Sequence, residues 1–345
     1  MVSDGLDPTA RYRVVCEVTI DGEEVTFDFS DTDDQAPGYT NMPSSSAMGA
    51  VRIAFLMLLN AGGVEVPANQ GLFAPVHTVF RRGSLLDPQY PAATIFGNQM
   101  CDEVIEAIMT ALATALPERV VAGWNQALGT VFDGVDPDTG SRIVFFGAFQ
   151  RVGPGASHGA DGFDALGFTG AAGQMRSPDV ETFEASNPVL MEAYEFLQDS
   201  AGAGQWRGGL GTTTIRTLLA DQLGGSTLGD DVEAEGATPA LGLFGGEPAG
   251  LNTIRIEYPD GTIRFWGSKE RIDHLPRGTR LVALMGGGAG YGDPRRRPAA
   301  DVAAEVRDGL ISVDSARNSY GVIIGPDGEI DEAATAAARG QVPAS

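Results

Sequence analysis

The sequence predicts an α+β fold, rich in β-structure, with a few buried helices against mixed sheets. Three patterns predict it. Tyr12 to Phe29 alternate apolar and polar about Asp21-Gly22, which reads as a β-hairpin. Val104, Ile105, Ile108, Met109, Leu112 and Leu116 fall at helical spacing, and Pro117 ends the run. Beyond Gly211 the pattern is all β, over 212–218, 253–258, 262–266 and 280–285, with Asp260-Gly261 as a hairpin turn.

The other elements follow in order. Ser44 to Ser46 can cap a helix over Ala47–Leu59, stopped by Gly62-Gly63. It is apolar almost all round, Arg52 excepted, so it is expected to be buried. Val76 to Phe80 suggests a strand, and Gly129 to Gln150 strands joined by a turn over Asp136 to Gly140. Gly153 to Asp164 reads as a flexible polar loop. The chain is organised around Gly173 to Gly211. This stretch holds the polar turn Arg176-Ser177-Pro178-Asp179, an apolar run from Val189 to Phe196, and a glycine-dense loop around Gln205-Trp206-Arg207. Such density implies tight turns or close backbone approach. Gly286 to Gly292 reads as a tight structural turn, because Asp293-Pro294 and three arginines follow it where a dinucleotide site would open a helix. Asp301–Asp308 and Val313–Tyr320 suggest two short helices, and the tail from Ala333 is expected to fray. With 345 residues, three portions are expected: 1–127 (α+β, two buried helices), 128–294 (β-rich, glycine loops) and 295–345 (helical tail).

Composition excludes several classes. A formal net charge of -23 repels phosphate backbones and anionic lipid, so no nucleic-acid or membrane partner is expected. Lys269 is the sole lysine, and Gly267-Ser268-Lys269-Glu270 is not a phosphate loop. Cys16 and Cys101 lie apart among apolar neighbours and read as reduced, buried thiols. No apolar run approaches the roughly 20 residues that span a bilayer. A cytoplasmic protein is expected.

Chemistry-bearing residues are few. The 3 histidines, His77, His158 and His274, show no metal-ligand spacing, so no metal is expected on this chain. His77 sits in an apolar strand and reads as a core or interface residue, and His274 lies in a surface-like turn. Asp31, Asp33 and Asp34 form a solvated turn without calcium-loop spacing. His158 differs: it lies among glycines with Asp161 and Asp164 close by, a set suited to acid–base work, beside the plainer reading of a solvated loop. No nucleophile elbow surrounds Ser177. Asp179, Glu181 and Glu184 are either paired carboxylates or one polar face. Asn98 and Gln99 precede a helix N-terminus, where anions are favoured. Trp206 and Arg207 are the residue types most enriched where one surface grips another.

At many of these positions the sequence resembles the hydantoinase B family, which includes N-methylhydantoinase B subunits, the C-terminal portion of ATP-dependent 5-oxoprolinase, and acetone and acetophenone carboxylase subunits. The resemblance rests on ordered motifs: Asp28-Phe29-Ser30-Asp31-Thr32-Asp33, Asn41-Met42-Pro43, Asn69 to Val76, Gly83 to Pro88, Gly97-Asn98, Gly155 to Asp164, Gly202 to Gly209, Gly286 to Pro294, and Val306 to Ser312. It runs from about Tyr12 to Ile324. Two departures stand out. Family members are typically longer, and an Asp/His set resembling a metal site lies in an N-terminal half that this chain lacks, so a split subunit or a fragment is expected. The family's Thr-Arg-Asn-Thr-Pro-Val-Glu is here Met175-Arg176-Ser177-Pro178-Asp179-Val180-Glu181.

The resemblance implies a hydantoinase B-like fold and a subunit, inactive alone, of an ATP-dependent complex that hydrolyses a cyclic amide: a hydantoin, lactam or oxoproline-like ring. The alternatives are a subunit of an acetone- or acetophenone-type ketone carboxylase, and a non-catalytic structural subunit. ATP and Mg2+ would sit on a hydantoinase A-type partner, and a divalent metal (Zn or Mn) on a chain supplying the N-terminal half. In the site this implies, His158, Asp161 and Asp164 are catalytic, and Asn98, Arg176, Asp179 and Glu181 bind the small-molecule substrate. Trp206 and Arg207 serve packing or a subunit interface.

Overall fold

The structure, a computed structural model, describes residues 6–340 except 8, 64–65, 96, 127, 138, 172–174, 222 and 230–236. Asp138 of the expected turn and Gly173 and Gln174 of the central stretch therefore lie outside the described residues.

The N-terminal hairpin forms as expected. β1 (Glu17–Asp21) and β2 (Glu24–Asp28) pair antiparallel. Gly22 turns the chain at φ 61°, a conformation that suits glycine. β3 (Val76–Val79) joins β2 in parallel, with Val25 opposite Val76. Two helices cover this mixed sheet: α1 (Ser44–Ala61) and α2 (Cys101–Leu112). Phe27, Phe29, Val51, Ala54, Leu58, Val104, Ile105 and Ile108 share one core. Burying each such side chain contributes roughly 1.5–3 kcal/mol. Burial of α1 is narrower than expected. Ala47, Ala50, Val51, Ala54 and Leu58 form a single buried stripe, and Met48 is exposed. By length and composition alone α1, 18 residues at mean hydropathy 1.3, could cross a membrane, against the expectation of no such run; here its stripe lies in the core with α2.

Two antiparallel sheets enclose the second core. One has the order β10-β9-β12-β7-β6, built from β6 (Val189–Phe196), β7 (Thr212–Leu218), β9 (Thr253–Glu257), β10 (Ile263–Phe265) and β12 (Arg280–Leu284). The other has the order β11-β8-β4-β5, built from β4 (Gly129–Val135), β5 (Arg142–Phe146), β8 (Leu223–Leu228) and β11 (Arg271–Leu275). Phe132, Phe145, Leu223 and Leu275 meet Leu218, Ile254, Ile256 and Leu281 between them. The sequence pattern does not announce β8 and β11. His274 lies on β11 rather than in a turn, and it is exposed.

The expected turn at Gly286 to Gly292 is instead an extended segment bonded on both sides. Gly288 N donates to the Gly209 carbonyl at 2.8 Å, Ala289 N to Gly123 at 2.9 Å, Gly290 N to Glu247 at 3.0 Å and Tyr291 N to Trp206 at 2.9 Å. The Gly153–Asp164 segment belongs to the same layer, with Ala156 N on Ala289 O and Gly162 N on Arg207 O. It is not a free loop: residues 151–156 are buried and the exposed residues lie between His158 and Phe163. A Cβ on Gly153 would strike the Gly209 carbonyl, and one on Gly288 the Pro154 carbonyl. Here backbone packs on backbone.

The remaining helices are α3 (Val180–Ser186), which precedes β6, and the C-terminal α4 (Ala299–Arg307), α5 (Val313–Asn318) and α6 (Glu332–Arg339). Val302, Ile311, Ala316, Tyr320 and Val322 form a third core against Ala203. α6 is a formed helix where fraying is expected from sequence, because the Asp331 side chain accepts from Ala334 N at its start.

Candidate functional site

The residues singled out from sequence fall into two groups. The first surrounds the tip of the Gly153–Asp164 segment. His158 is exposed and lies against Trp206, ring centroids 4.8 Å apart, with Tyr291 at 6.2 Å. Trp206 is half-buried and held by two backbone bonds to Tyr291.

Asp161 and Asp164 do not orient the His158 ring; both carboxylates are taken up by arginine. Asp161 receives Arg297 through Nη1 and Nη2 at 2.8 and 2.7 Å, and the Arg207 N–H at 2.7 Å. Burial pushes its pKa up, but the bidentate arginine outweighs this and holds it below the usual carboxylate range. Asp164 accepts the Leu210 N–H at 2.8 Å and Arg207 Nη1 at 3.1 Å.

The Arg207 side chain is packed inside the described chain. It is 4% exposed, with Nε bonded to Glu305 Oε1 at 2.8 Å. Burial works against its charge, but Glu305 and Asp164 raise its pKa overall. The cluster Asp161–Arg297–Glu305–Arg207–Asp164 thus rivets α4 to the glycine layer. His77 is likewise not in the core: it is exposed on β3, 2.5 Å from Glu24. The two thiols are free and half-buried, and burial pushes both up to about 12.

The second group includes two chain neighbours of a cavity of about 170 Å³, which is lined by Gln99, Thr130, Gly147, Gln150, Phe168 and Met175 among others. Asn98 and Arg176 are exposed and adjoin the lining residues Gln99 and Met175 in the chain. Asp179 caps α3, accepting from Thr182 N at 2.9 Å, and Glu181 is exposed in its first turn. Glu184 accepts the Met191 N–H at 2.6 Å, so the three carboxylates are not paired with one another. Ser177 lies between Arg151 Nε, 3.2 Å away, and the Tyr194 hydroxyl, 3.1 Å away.

Behind the cavity wall lies Arg216, 1% exposed and, among the described residues, with no carboxylate at hand. Its Nη2 donates to Thr130 Oγ1 at 3.3 Å, while Nε and Nη1 have no hydrogen-bond partner among the described residues. Burial alone pushes its pKa down to about 10. Thr130 Oγ1 donates to Gln150 Oε1 at 2.9 Å, and Gln150 Nε2 is likewise without a partner among them. Sequence reading passes over Arg216, although it shares strand parity with the buried Thr212, Thr214 and Leu218. It also takes Arg297 as linker and Glu305 as a member of a plain helix. Among the described residues, no group of His, Cys, Asp or Glu side chains is arranged to hold a metal ion.

The chain belongs to the hydantoinase B/oxoprolinase family, whose model matches residues 1–294. The beta subunit of caprolactamase from Pseudomonas jessenii is 34% identical over 332 residues, covering 94% of this chain and 56% of that protein. The B subunit of a putative D-/L-hydantoinase from Pseudomonas sp. (strain NS671) is 29% identical, covering 95% and 55%. Among solved structures, the ATP-dependent caprolactamase from Pseudomonas jessenii is similar with a TM-score of 0.80 at 31% identity, over 94% of this chain and 56% of that one. Nucleotide-free acetone carboxylase is similar with a TM-score of 0.80 at 20% identity, over 94% and 48%, which establishes the shared fold. The chain spans about half the length of these relatives.

Proposed function

We propose that this chain is a component of an ATP-dependent enzyme that hydrolyses a cyclic amide: a hydantoin, lactam or oxoproline-like ring. The carrying observation is the likeness to caprolactamase, 31% identical at a TM-score of 0.80 over 94% of the chain. In this reading ATP and Mg2+ belong to a hydantoinase A-type partner, and a divalent metal, Zn or Mn, to a chain supplying the N-terminal half. The partner would transfer phosphate to the amide oxygen. The activated carbon then accepts water, and the ring C–N bond breaks with release of phosphate. The open imidazole of His158 is available to move a proton, and Asn98 and Arg176, exposed and next in the chain to the lining residues Gln99 and Met175, would hold an oxyanion. Asp161 and Asp164 serve as positioning residues, fixing the segment that carries His158.

The test is ATP turnover coupled to ring opening when this chain is combined with the two partner chains. No stimulation by any hydantoin, lactam or oxoproline sinks the reading. A role in ketone carboxylation is the second reading. It is favoured by Met175, an apolar residue in the cavity wall where the family motif begins with threonine. Incorporation of labelled bicarbonate into an acid product from a ketone separates the two. If His158→Ala and Arg176→Ala leave the assembled enzyme at full kcat/KM, the chain's role is structural.

A further inference from the structure

Arg216 is a buried cation that meets no carboxylate among the described residues; the centroid of the Phe132 ring lies 5.8 Å from its guanidinium carbon. A buried charge without a counter-ion is strongly unfavourable, so its place behind a cavity wall invites an anion. The hydrogen-bond chain leading from it has a fixed polarity. Arginine has only donors, so Thr130 Oγ1 accepts from Arg216, and it gives its own proton to Gln150 Oε1 at 2.9 Å. Gln150 therefore meets Thr130 with its oxygen, and its NH2 is the end left without a partner among the described residues. Gln150 is 5% exposed and lines the cavity. Gly147 completes the arrangement. A Cβ there would run into Thr130 Oγ1 and Arg216 Nη1, so the guanidinium lies directly behind that stretch of wall.

We propose that this cavity is a binding site for the carboxylate of a short aliphatic acid, received by the Gln150 amide over the Arg216 guanidinium. Apart from Gln99, the rest of the wall, with Phe146, Phe168, Met175 and Leu228, is apolar and suits the hydrocarbon chain. The volume, about 170 Å³, is near that of a cavity that takes one benzene, roughly 150 Å³, so it encloses about seven non-hydrogen atoms of its occupant. Opening a cyclic amide releases such a carboxylate; only the naming of the occupant as product rests on the proposed activity, and binding needs no turnover.

The experiment is calorimetric titration of the purified chain with hexanoate, hexanamide and inorganic phosphate. Hexanoate is expected to bind saturably, with hexanamide and phosphate at least about tenfold weaker. Gln150→Glu keeps the oxygen that accepts from Thr130 but turns the free donor into an acceptor. It is expected to melt no lower than the parent, because it gives Arg216 a counter-charge, yet to bind hexanoate at least about tenfold more weakly. Arg216→Met is expected to lose binding as well; should it fail to fold, Gln150→Glu decides. Absence of saturable hexanoate binding, equal binding of phosphate or hexanamide, or undiminished binding by Gln150→Glu each overturns the proposal. Loss of ring-opening activity with hexanoate binding intact would instead count against the proposed function alone.

Discussion

Arg297 and Asp161 meet through two parallel hydrogen bonds across 136 residues of chain. This pair ties the His158 segment and the C-terminal helices into a single structural unit. The acid dependence of that link follows from its sign. The folded pKa of Asp161 lies below its unfolded value of about 3.9. Its contribution to stability is therefore complete above about pH 4 and is lost as pH falls through the lowered folded value. Thermal melts between pH 5 and pH 2.5 should show a steeper fall for the parent than for Asp161→Asn. Equal slopes would refute the pairing.

Glu305 Oε1 accepts from both Arg207 Nε and Arg297 Nη2 in a buried setting. Removing it leaves two buried guanidinium groups short of charge. Glu305→Ala is expected to destabilise by about 3–5 kcal/mol in urea unfolding. A loss below about 1 kcal/mol, in the range of surface pairs, would show the cluster to be solvated.

Asp102 behaves in the opposite sense. It is buried at the start of α2 and accepts the Gly170 N–H at 2.8 Å. Burial pushes it up to about 7, with Glu106 adding to the rise. The unfolded chain ionises near pH 4 while the fold keeps the proton, so stability falls as pH rises from about 4 to 7 and then levels. Asp102→Asn, which retains the acceptor oxygen, should remove that decline. Parallel pH profiles for the two proteins would contradict it.

Gly288→Ala sets a methyl against the Pro154 carbonyl, with backbone on the far side that has no rotamer to yield. The expected loss is about 3 kcal/mol or more, at or beyond the upper end of ordinary overpacking. Gly261→Ala, at an open hairpin with φ 86°, supplies a control in which strain acts without collision. The two should differ clearly in urea midpoint, and Gly288→Ala should be the lower.

Asp179 reads from sequence as substrate-binding and stands in the structure as a helix cap. Asp179→Ala should lower stability by about 0.5–2 kcal/mol. Whether it also changes KM in the assembled enzyme separates the two roles: a cap alone leaves KM in place.

The elements legible in the sequence are those with a periodic or continuous β-forming pattern. The β1–β2 hairpin, α2 and β9 carry alternation or helical spacing, and β7 and β12 are runs rich in β-branched or apolar residues. β8 escapes such a reading because Gly224 and Gly225 interrupt its pattern; a side chain at Gly225 would meet the Trp266 ring. β11 escapes it because only Ile272 and Leu275 of its residues are buried, and a bulge lies between them. The site is half legible. His158, Asp161 and Asp164 are read together from sequence, but the two carboxylates bond Arg207 and Arg297, and Glu305, which bonds both arginines, lies in α4 far along the chain. Arg216 is hidden by its own charge, since a strand reading assigns arginine to the solvent face and here parity places it inside.

The glycine layer also bears on how the chain reaches its native state. Its hydrogen bonds join residue 123 to 289, 154 to 209 and 202 to 288, so closure entropy over long intervals precedes any gain from them. Chains dominated by such distant pairings fold slowly, on the order of milliseconds to seconds. Until residues 286–292 arrive, the Gly153 and Ala156 N–H groups and the Gly209 carbonyl lack their native partners. The last-arriving stretch therefore gates maturation, and a nascent chain halted before it would remain the most vulnerable to mispairing.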